Sequence, residues 1–474
     1  MSLWSAAQAA AATGGVAQGD WQAGGVSIDT RSLQPGDLFV ALQAERDGHD
    51  FVAQALNNGA AAALVSRQPK GVPPEAPLLI VEDVQYALEA LGRAARARTG
   101  ARVVAVTGSV GKTSTKEMLR SVLSTQGRTH ASVASYNNHW GVPLSLARMP
   151  ADTDFAVFEI GMSQPGEIAP LARLVRPHVA IITTVAAAHL EAFDDLAGIA
   201  REKSSIFEGL EPAGCALFNE DLATAPLLRA VAETHAQHVT SFGKSPLVSY
   251  RLQTIEVKDG LTCAVVVHAG QERRFELASI GCHFAENALA VLAACDWLGF
   301  THEATVAGLA HWTPVVGRGQ RQTLCLDKTD SDKTVELIDD AYNANPISLR
   351  AALDVLGVIK PSGQGRRIAY LGDMKELGPQ SAAMHAEIAD HPAVARIARI
   401  HAVGALMRHL HQALPVEKQG RWTATSGEMV QAIMADLRAG DVVLVKGSLS
   451  AGMGRVVDAI ADLRHGRTAE TVGE

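Results

Sequence analysis

The amino-acid sequence predicts an α/β protein built from three domains. Its 474 residues provide enough chain for roughly three domains of ordinary size. Short apolar runs alternate with helical patterns along most of the chain, which favours mainly parallel sheets covered by helices on both faces. Two glycine-containing breaks, at 99–100 and at Gly317, interrupt this alternation. We therefore expect domains at 1–98, 99–316 and 317–474.

The first segment has the pattern of a small α/β domain. Apolar runs at 37–42, 61–65 and 78–81 predict short buried strands. A helical pattern at 51–58 separates the first two runs, and an Ala/Leu/Arg helix at 85–98 closes the segment.

The central segment begins with a buried strand at 103–107 and continues with strands at 155–160 and 179–185. Strands at this spacing indicate right-handed crossovers and a mainly parallel sheet. Residues 248–280 have a different pattern, with consecutive strands joined by polar turns such as Lys258-Asp259-Gly260. We expect a small antiparallel insertion there.

The last segment predicts a Rossmann-like series in which each strand is followed by a helix. The helix at 346–357 has a clear start, because Asn345 can cap it and Pro346 fits its first position. The strands are expected at 335–339, 368–372, 399–404 and 442–447.

Composition excludes several classes of protein. The formal net charge of −8 argues against a nucleic-acid partner bound through its phosphates. Five scattered cysteines without metal-ligand spacing indicate reduced thiols. No basic residue precedes Arg31, and no apolar run approaches the roughly 20 residues that span a bilayer. We expect a cytoplasmic protein without a membrane span.

The most informative motif is the run 103–114, in which a buried strand leads through a glycine turn to Lys112, Thr113 and Ser114. Such a turn directs backbone N–H groups at a phosphate, a lysine neutralises its charge, and a hydroxyl can bind Mg²⁺. Val106 stands where the usual Walker pattern has its first glycine, so the loop is a shortened form. The motif predicts that the chain binds a nucleoside triphosphate. The loop residues expected at the phosphates are Gly108, Ser109, Val110, Gly111, Lys112, Thr113 and Ser114.

Polar residues after the later strands allow more than one interpretation. Glu159, near the end of a buried strand, fits an ion pair as well as a Mg²⁺ ligand. His189 follows the next strand and could be structural or lie near the nucleotide. Lys203, on an amphipathic pattern, is by local sequence a solvated surface lysine. Arg318 between two glycines could reach a phosphate as domains close.

The chain contains the motifs TGSVGKTS (107–114), NNHWGVPLSL (137–146), FEIGMSQPGEI (158–168), AHLEAF (188–193), GRGQ (317–320), DDAYNANP (339–346), YLGDMKELG (370–378) and VLVKGS (443–448). Taken together, these motifs resemble the Mur ligases, and within them the members that add D-alanyl-D-alanine. The resemblance covers nearly the whole chain in the expected order, including a uridine-nucleotide domain pattern at 29–42 and 47–51.

The resemblance assigns roles to individual residues. It implies that Thr113, Glu159, His189 and a carbamylated Lys203 hold Mg²⁺, and that Lys112 and Arg318 are catalytic together with Glu159, His189 and Lys203. It also implies that Asn287 lies against the adenine, Arg318 at the γ-phosphate and Asp340 at the ribose. The expected substrate-binding residues are Ser27, Asp29, Thr30 and Arg31 on the UDP-sugar side, Asn137 and Asn138 in the central loop, and Tyr342, Asn343 and Asn345 in the loop 339–346.

The activity implied by this resemblance is that of an ATP- and Mg²⁺-dependent amide ligase of peptidoglycan precursor synthesis. Its substrates would be UDP-N-acetylmuramoyl-tripeptide and D-alanyl-D-alanine, joined through an acyl phosphate by a monomeric enzyme. Three alternatives remain open: a folylpolyglutamate synthase, a P-loop nucleotide switch or phosphotransferase, and a non-catalytic nucleotide-binding module.

Overall fold

The structure is a computed structural model that describes residues 2–133, 135–187, 190–327 and 330–462. Its described part contains sheets of five, nine and six strands, which follow one another along the chain, and a two-stranded ribbon at the N-terminus. The predicted three-domain α/β architecture is confirmed. No helix in the described ranges is long and apolar enough to cross a membrane.

The N-terminal domain contains a five-stranded sheet in the order β2-β7-β6-β5-β4, in which β4 to β7 are parallel. Alternate residues of β5 enter hydrophobic clusters on the two faces of the sheet. The predicted strands and closing helix are confirmed within one or two residues. The elements are β1 Trp4–Ser5, α1 Ala6–Thr13, β2 Val16–Ala17, β3 Gln22–Ala23, β4 Gly25–Ser27, β5 Asp37–Val40, α2 Val52–Asn57, β6 Ala62–Val65, β7 Leu78–Ile80 and α3 Val84–Ala97.

The central domain contains a nine-stranded sheet in the order β16-β15-β14-β13-β12-β11-β8-β10-β9. The elements are β8 Arg102–Thr107, α4 Lys112–Ser124, β9 Thr129–Ala131, α5 Gly141–Ala147, β10 Phe155–Glu159, α6 Ile168–Val175, β11 Val179–Ile182, α7 Leu196–Ser204, β12 Cys215–Asn219, α8 Ala225–His235, β13 His238–Gly243, β14 Tyr250–Lys258, β15 Leu261–His268, β16 Gln271–Leu277, α9 Cys282–Trp297 and α10 His302–Ala310.

Strand β8 lies inside this sheet, parallel to both β10 and β11. Its residues alternate between two hydrophobic clusters, so helices cover both faces and the strand carries almost no polar side chains. The carboxyl ends of β8, β10 and β11 therefore meet at one edge of the sheet, which is where open α/β sheets bind ligands.

The consecutive strands predicted at 248–280 are present, but they do not form a separate insertion. Strand β14 pairs in parallel with β13, and β15 and β16 then continue the same sheet in antiparallel fashion. Helix α9 packs across this extension, because its apolar side chains join the same hydrophobic cluster as those of β14 to β16.

The C-terminal domain contains a six-stranded sheet in the order β17-β18-β22-β19-β20-β21, with β17 as an antiparallel edge. The four predicted strands are confirmed as β18, β19, β20 and β22, whereas β17 and β21 were not expected. The elements are β17 Gln320–Asp327, β18 Asp330–Asp340, α11 Pro346–Val358, β19 Arg367–Gly372, α12 Ser381–Ala386, β20 Arg399–Val403, α13 Met407–Ala413, β21 Gln419–Thr423, α14 Ser426–Asp436, β22 Val442–Lys446 and α15 Gly454–Asp462.

Candidate active site

A cleft of about 880 Å³ lies between the central and C-terminal domains. Loops at the carboxyl ends of β8, β10 and β18 contribute to its walls, as does helix α9 of the central domain. The residues predicted from sequence that line it are Ser109, Val110, Gly111, Lys112, Ser114, Asn137, Asn138, Glu159, Lys203, Asn287, Arg318, Asp340, Tyr342, Asn343 and Asn345.

The phosphate loop needs glycine at two positions. Gly108 and Gly111 have φ values of 153° and 87°. A Cβ at Gly108 would lie 2.0 Å from Thr183 Oγ1, and one at Gly111 would lie 2.5 Å from Asn287 Oδ1. These close approaches leave no room for a side chain, so the backbone itself forms the wall of the loop where it precedes the N-terminus of α4.

Lys112 begins α4 and folds back over the loop, where its Nζ donates to the Gly108 carbonyl at 2.6 Å. Desolvation lowers the pKa of Lys112; the carboxylate of Glu159 raises it, and the nearby Arg318 lowers it further. Two cations at this point make the base of the cleft a site for a multiply charged anion.

Glu159 ends β10 with its carboxylate enclosed, since the residue is only 1% exposed. The Thr113 hydroxyl donates to Oε2 at 2.7 Å, and Asn137 Nδ2 donates to Oε1, also at 2.7 Å. Thr113 is therefore not on the cleft surface itself but is held directly behind it. The arrangement presents a hydroxyl and a carboxylate, which are oxygen ligands of the kind that Mg²⁺ prefers.

Lys203 lies at the end of α7 and is 2% exposed, so the local expectation of a solvated surface lysine is wrong. Among the described residues, no hydrogen bond or ion pair holds its ammonium. Burial lowers the pKa of Lys203 well below its usual value of 10.5, and the positive charge of Lys112 lowers it further, while Glu202 opposes them. The amine is consequently biased towards the neutral form, which is the nucleophilic form.

Arg318 projects from the segment that joins the central and C-terminal domains. Gly317 and Gly319 have φ values of 75° and 90°, so the segment turns sharply on both sides of the arginine. Arg318 Nη2 donates to Ser135 Oγ of the central domain at 3.0 Å, and its guanidinium carbon lies 4.2 Å from the centre of the Tyr342 ring. The guanidinium is thus held at the cleft by one residue from each domain.

Asp340 ends β18 and forms an ion pair with Lys446 at the end of β22, with 2.7 Å between Oδ2 and Nζ. Lys446 Nζ also donates to the Asn343 carbonyl at 2.9 Å. The role of Lys446 was not predicted, although a lysine at the carboxyl end of an apolar strand is a detectable signal. Asn345 accepts the Ser348 N–H at 2.9 Å and caps α11, as expected.

Helix α9 places further polar side chains at the cleft. Asn287 on α9 is 9% exposed. His283 on the same helix was not predicted, and removal from water lowers its pKa to about 4, with Lys446 contributing. It is therefore neutral at pH 7. Lys244 and Glu286 form an ion pair of 2.5 Å in the wall.

The predicted UDP-sugar residues do not line this cleft. They cluster after β4, where Arg31 makes a two-pronged contact with Asp29, with Nη2 to Oδ2 at 2.6 Å and Nε to Oδ1 at 3.0 Å. Ser27 Oγ donates to the Asp29 carbonyl at 3.1 Å, and the Thr30 carbonyl accepts from Asn58 at 3.4 Å. The Arg31 side chain is 86% exposed, whereas Ser27 is buried, so the cluster extends from the sheet to the surface.

Asn138 has a structural contact as well as a place in the cleft. Its Oδ1 accepts the N–H groups of Trp140 and Gly141 at 3.2 and 2.9 Å, which fixes the start of α5. His189 lies outside the described residues. Within those residues no cluster of three or more His, Cys, Asp or Glu side chains is positioned to hold a metal.

These features define a class of protein: a three-domain P-loop protein with a cleft between its central and C-terminal domains, lined by an arginine of the interdomain segment, a buried carboxylate and a buried, neutral-leaning lysine. Comparisons with protein families agree. Residues 22–99 match the model described as Mur ligase family, catalytic domain; residues 106–295 match the Mur ligase middle domain; and residues 326–449 match the Mur ligase, glutamate ligase domain.

The chain belongs to the Mur ligase family. It is 37% identical to the UDP-N-acetylmuramoyl-tripeptide--D-alanyl-D-alanine ligase of Escherichia coli, over 92% of this chain and 93% of the relative. The enzyme of the same name from Bacillus subtilis is 34% identical over 90% of both chains. MurF from Acinetobacter baumannii has a similar structure, with a TM-score of 0.82, 30% identity and coverage of 98% of this chain and 99% of the other. The MurF ligase of Thermotoga maritima in complex with ADP has a TM-score of 0.75 at 26% identity, with coverage of 94% and 98%.

Proposed function

We propose that this chain joins D-alanyl-D-alanine to UDP-N-acetylmuramoyl-tripeptide and converts ATP to ADP and phosphate. The observation that carries this proposal is the cleft in which Lys112, Glu159, Lys203 and Arg318 converge. The relatives that match nearly the whole chain bear the name of this activity.

In the first step, a carboxylate oxygen of the tripeptide attacks the γ-phosphorus of ATP, and the bond to the β-phosphate oxygen breaks to leave ADP. Both reactants are anionic, so repulsion and alignment dominate the barrier. Lys112 and Arg318 supply positive charge on either side of the transferred phosphoryl group. Because both cations are held in place before the reaction, little reorganisation is needed at the transition state.

The donor set at Glu159 fits a divalent cation. Thr113 and Glu159 offer hard oxygen atoms, and we propose that they hold Mg²⁺ together with His189. Lys203 would join them after its neutral amine has added to carbon dioxide and released a proton, which gives this side chain a carboxylate. When bound, Mg²⁺ neutralises charge on the phosphate oxygens.

In the second step, the free amine of D-alanyl-D-alanine attacks the carbonyl carbon of the acyl phosphate, and phosphate leaves from the tetrahedral intermediate. Water must be kept away, since it would hydrolyse the acyl phosphate. Arg318 links the two walls of the cleft through Ser135 and Tyr342, which supports its proposed role in closing the site.

The same proposal divides the work among the domains. Residues 1–98 bind the UDP-sugar through Ser27, Asp29, Thr30 and Arg31, and 99–316 bind ATP, with Asn287 at the adenine and Asn137 and Asn138 towards the peptide. Residues 317–474 contact ribose and phosphate through Asp340 and Arg318, and the dipeptide side through Tyr342, Asn343 and Asn345.

We propose that the enzyme acts as a monomer in the cytoplasm, without a nucleic-acid partner. All five cysteines are free thiols, which supports a reducing compartment. The net charge of −8 supports the absence of a nucleic-acid partner.

The test is phosphate release from ATP in the presence of UDP-N-acetylmuramoyl-tripeptide, with and without D-alanyl-D-alanine. We expect release to require both substrates and to match the amount of pentapeptide product. Release that ignores the dipeptide, or that instead responds to a folate and glutamate, would overturn the proposal.

A further inference from the structure

Lys116 is a buried cation that the reaction described above does not use. It lies one helical turn after Lys112 on α4 and is 0% exposed. Its Nζ donates to the Ser132 carbonyl at 2.7 Å and pairs with Glu117 Oε1 at 2.9 Å. A buried ion pair contributes little net stability compared with well-packed apolar side chains, so stability alone is a weak reason for a lysine here.

The position of Ser132 connects this lysine to the proposed metal ligand. Ser132 follows β9 and is 3% exposed, and its Oγ accepts the backbone N–H of Glu159 at 3.2 Å. Lys116 therefore contacts the backbone of Ser132, and the Ser132 hydroxyl contacts the backbone of Glu159. The two contacts connect the phosphate-loop helix to the end of β10.

The loop that follows Ser132 returns to the same carboxylate. Asn137 donates to Glu159 Oε1, and the Gly161 N–H donates to the Asn137 carbonyl at 2.8 Å. Glu159 is thus held at its backbone by Ser132 and at its side chain by Asn137. Lys116 fixes the point where the loop that carries Asn137 begins.

We propose that Lys116 is a positioning residue that, through Ser132, sets the place of the Glu159 carboxylate for the divalent cation. The inference rests on the proposed metal role of Glu159. Groups that orient a metal ligand commonly change metal affinity about 10–100-fold when they are removed. We expect an effect of this size even though Lys116 itself does not touch the metal.

Three variants separate positioning from stability. Lys116→Met keeps the length of the side chain but removes the charge, and Ser132→Ala removes only the hydroxyl that receives the Glu159 N–H. Arg96→Met is the matched control, because Arg96 is a cation only 6% exposed that donates to the Val175 carbonyl at 2.9 Å and does not line the cleft.

Electron paramagnetic resonance measures the affinity of the full chain for Mn²⁺ in the presence of ADP. The melting temperature of each variant is determined in parallel. We expect Lys116→Met to weaken Mn²⁺ binding about 10-fold or more, and Ser132→Ala to weaken it in the same direction. Arg96→Met should lower the melting temperature without changing Mn²⁺ affinity. Lys116→Arg, which keeps the charge, should recover part of the loss.

Two results would overturn the inference: Mn²⁺ affinity unchanged in Ser132→Ala and in folded Lys116→Met, or an equal loss in Arg96→Met. If Lys116→Met does not fold, Ser132→Ala decides the question. Failure of the proposed ligase activity would be seen separately, in the phosphate release of the unaltered protein with its two substrates.

Discussion

Replacing Lys203 tests the most unusual feature of the cleft, a lysine that is buried without a described partner. Its lowered pKa favours the neutral amine, which can form a carbamate with carbon dioxide. If that carboxylate holds a cation at the phosphates, its loss should cost about 10²–10³ in kcat, the range found when one electrostatic contact to a transition state is removed.

Two substitutions distinguish chemistry from packing. Lys203→Ala removes three buried methylenes, which at about 0.8 kcal/mol each amount to about 2.4 kcal/mol of lost burial. Lys203→Met keeps a side chain of nearly the same length, so it should unfold at close to the temperature of the unaltered protein. Both variants should lose the same activity, because neither can form a carbamate.

Chemical rescue gives the sharpest result. A small carboxylate such as acetate or propionate can enter the space left in Lys203→Ala and replace the missing carboxylate, whereas methionine fills that space. We therefore expect partial recovery of phosphate release in Lys203→Ala and none in Lys203→Met. Activity of either variant within a few-fold of the unaltered protein would refute the carbamate, as would equal rescue of both.

The remaining predictions concern the cations and a histidine of the cleft. Lys112→Met should lower the rate of ATP-dependent phosphate release about 10²–10³-fold while the melting temperature changes little, and a loss below 10-fold would contradict the proposed role. Ser135→Ala should remove a hydrogen bond to the charged Arg318, worth about 1.5–3 kcal/mol, and so lower kcat about 10-fold or more. When Arg318→Ala is already present, Ser135→Ala should have almost no further effect on kcat. Additive losses in this double-mutant cycle would show that the two residues act independently. His283 has a pKa of about 4 in the folded protein against an ordinary value of 6.5, so the unfolded chain takes up a proton first as the pH falls and stability is lost through this window. The free energy of unfolding, measured with urea, should therefore fall between about pH 6.5 and pH 4.5 by about 2 kcal/mol less in His283→Gln than in the unaltered protein. If the free energies of the two proteins fall in parallel with pH, this titration is excluded.

Most of the fold could be predicted from the sequence because its signals are local. The apolar runs of β8, β10 and β11 are too short and too continuous for anything but buried strands, and Asn345-Pro346 defines a helix start by its own chemistry. The edge strand β17 was missed because its first four residues, 320–323, are all polar and lack the period-two alternation of a half-buried strand. The continuity of β14 with the central sheet was also missed, since register between strands depends on pairing that periodicity does not describe.

In the candidate site, too, residues with a local sequence signal could be predicted and residues without one could not. The phosphate loop could be predicted because its glycines, lysine and hydroxyls are consecutive, and the conformation that they adopt is set within a few residues. Lys446 could have been suspected from its place at the end of an apolar strand. Ser135 and His283 could not, because a serine in a loop and a histidine in a helix have no pattern that separates a cleft residue from a surface residue.

By itself the sequence determined a P-loop α/β chain, most of its strands and helices, and a set of polar groups at strand ends. Only the tertiary structure decided the charge environment of those groups. Lys203, which local sequence predicts to be solvated, is buried near Lys112. Helix α7 carries it there because Ile199 and Ala200 of the same helix join the hydrophobic cluster on one face of the central sheet. Arg318 reaches Ser135 because two glycines turn the interdomain segment into the cleft. Burial and charge depend on residues distant in sequence, and long-range packing alone brings them together.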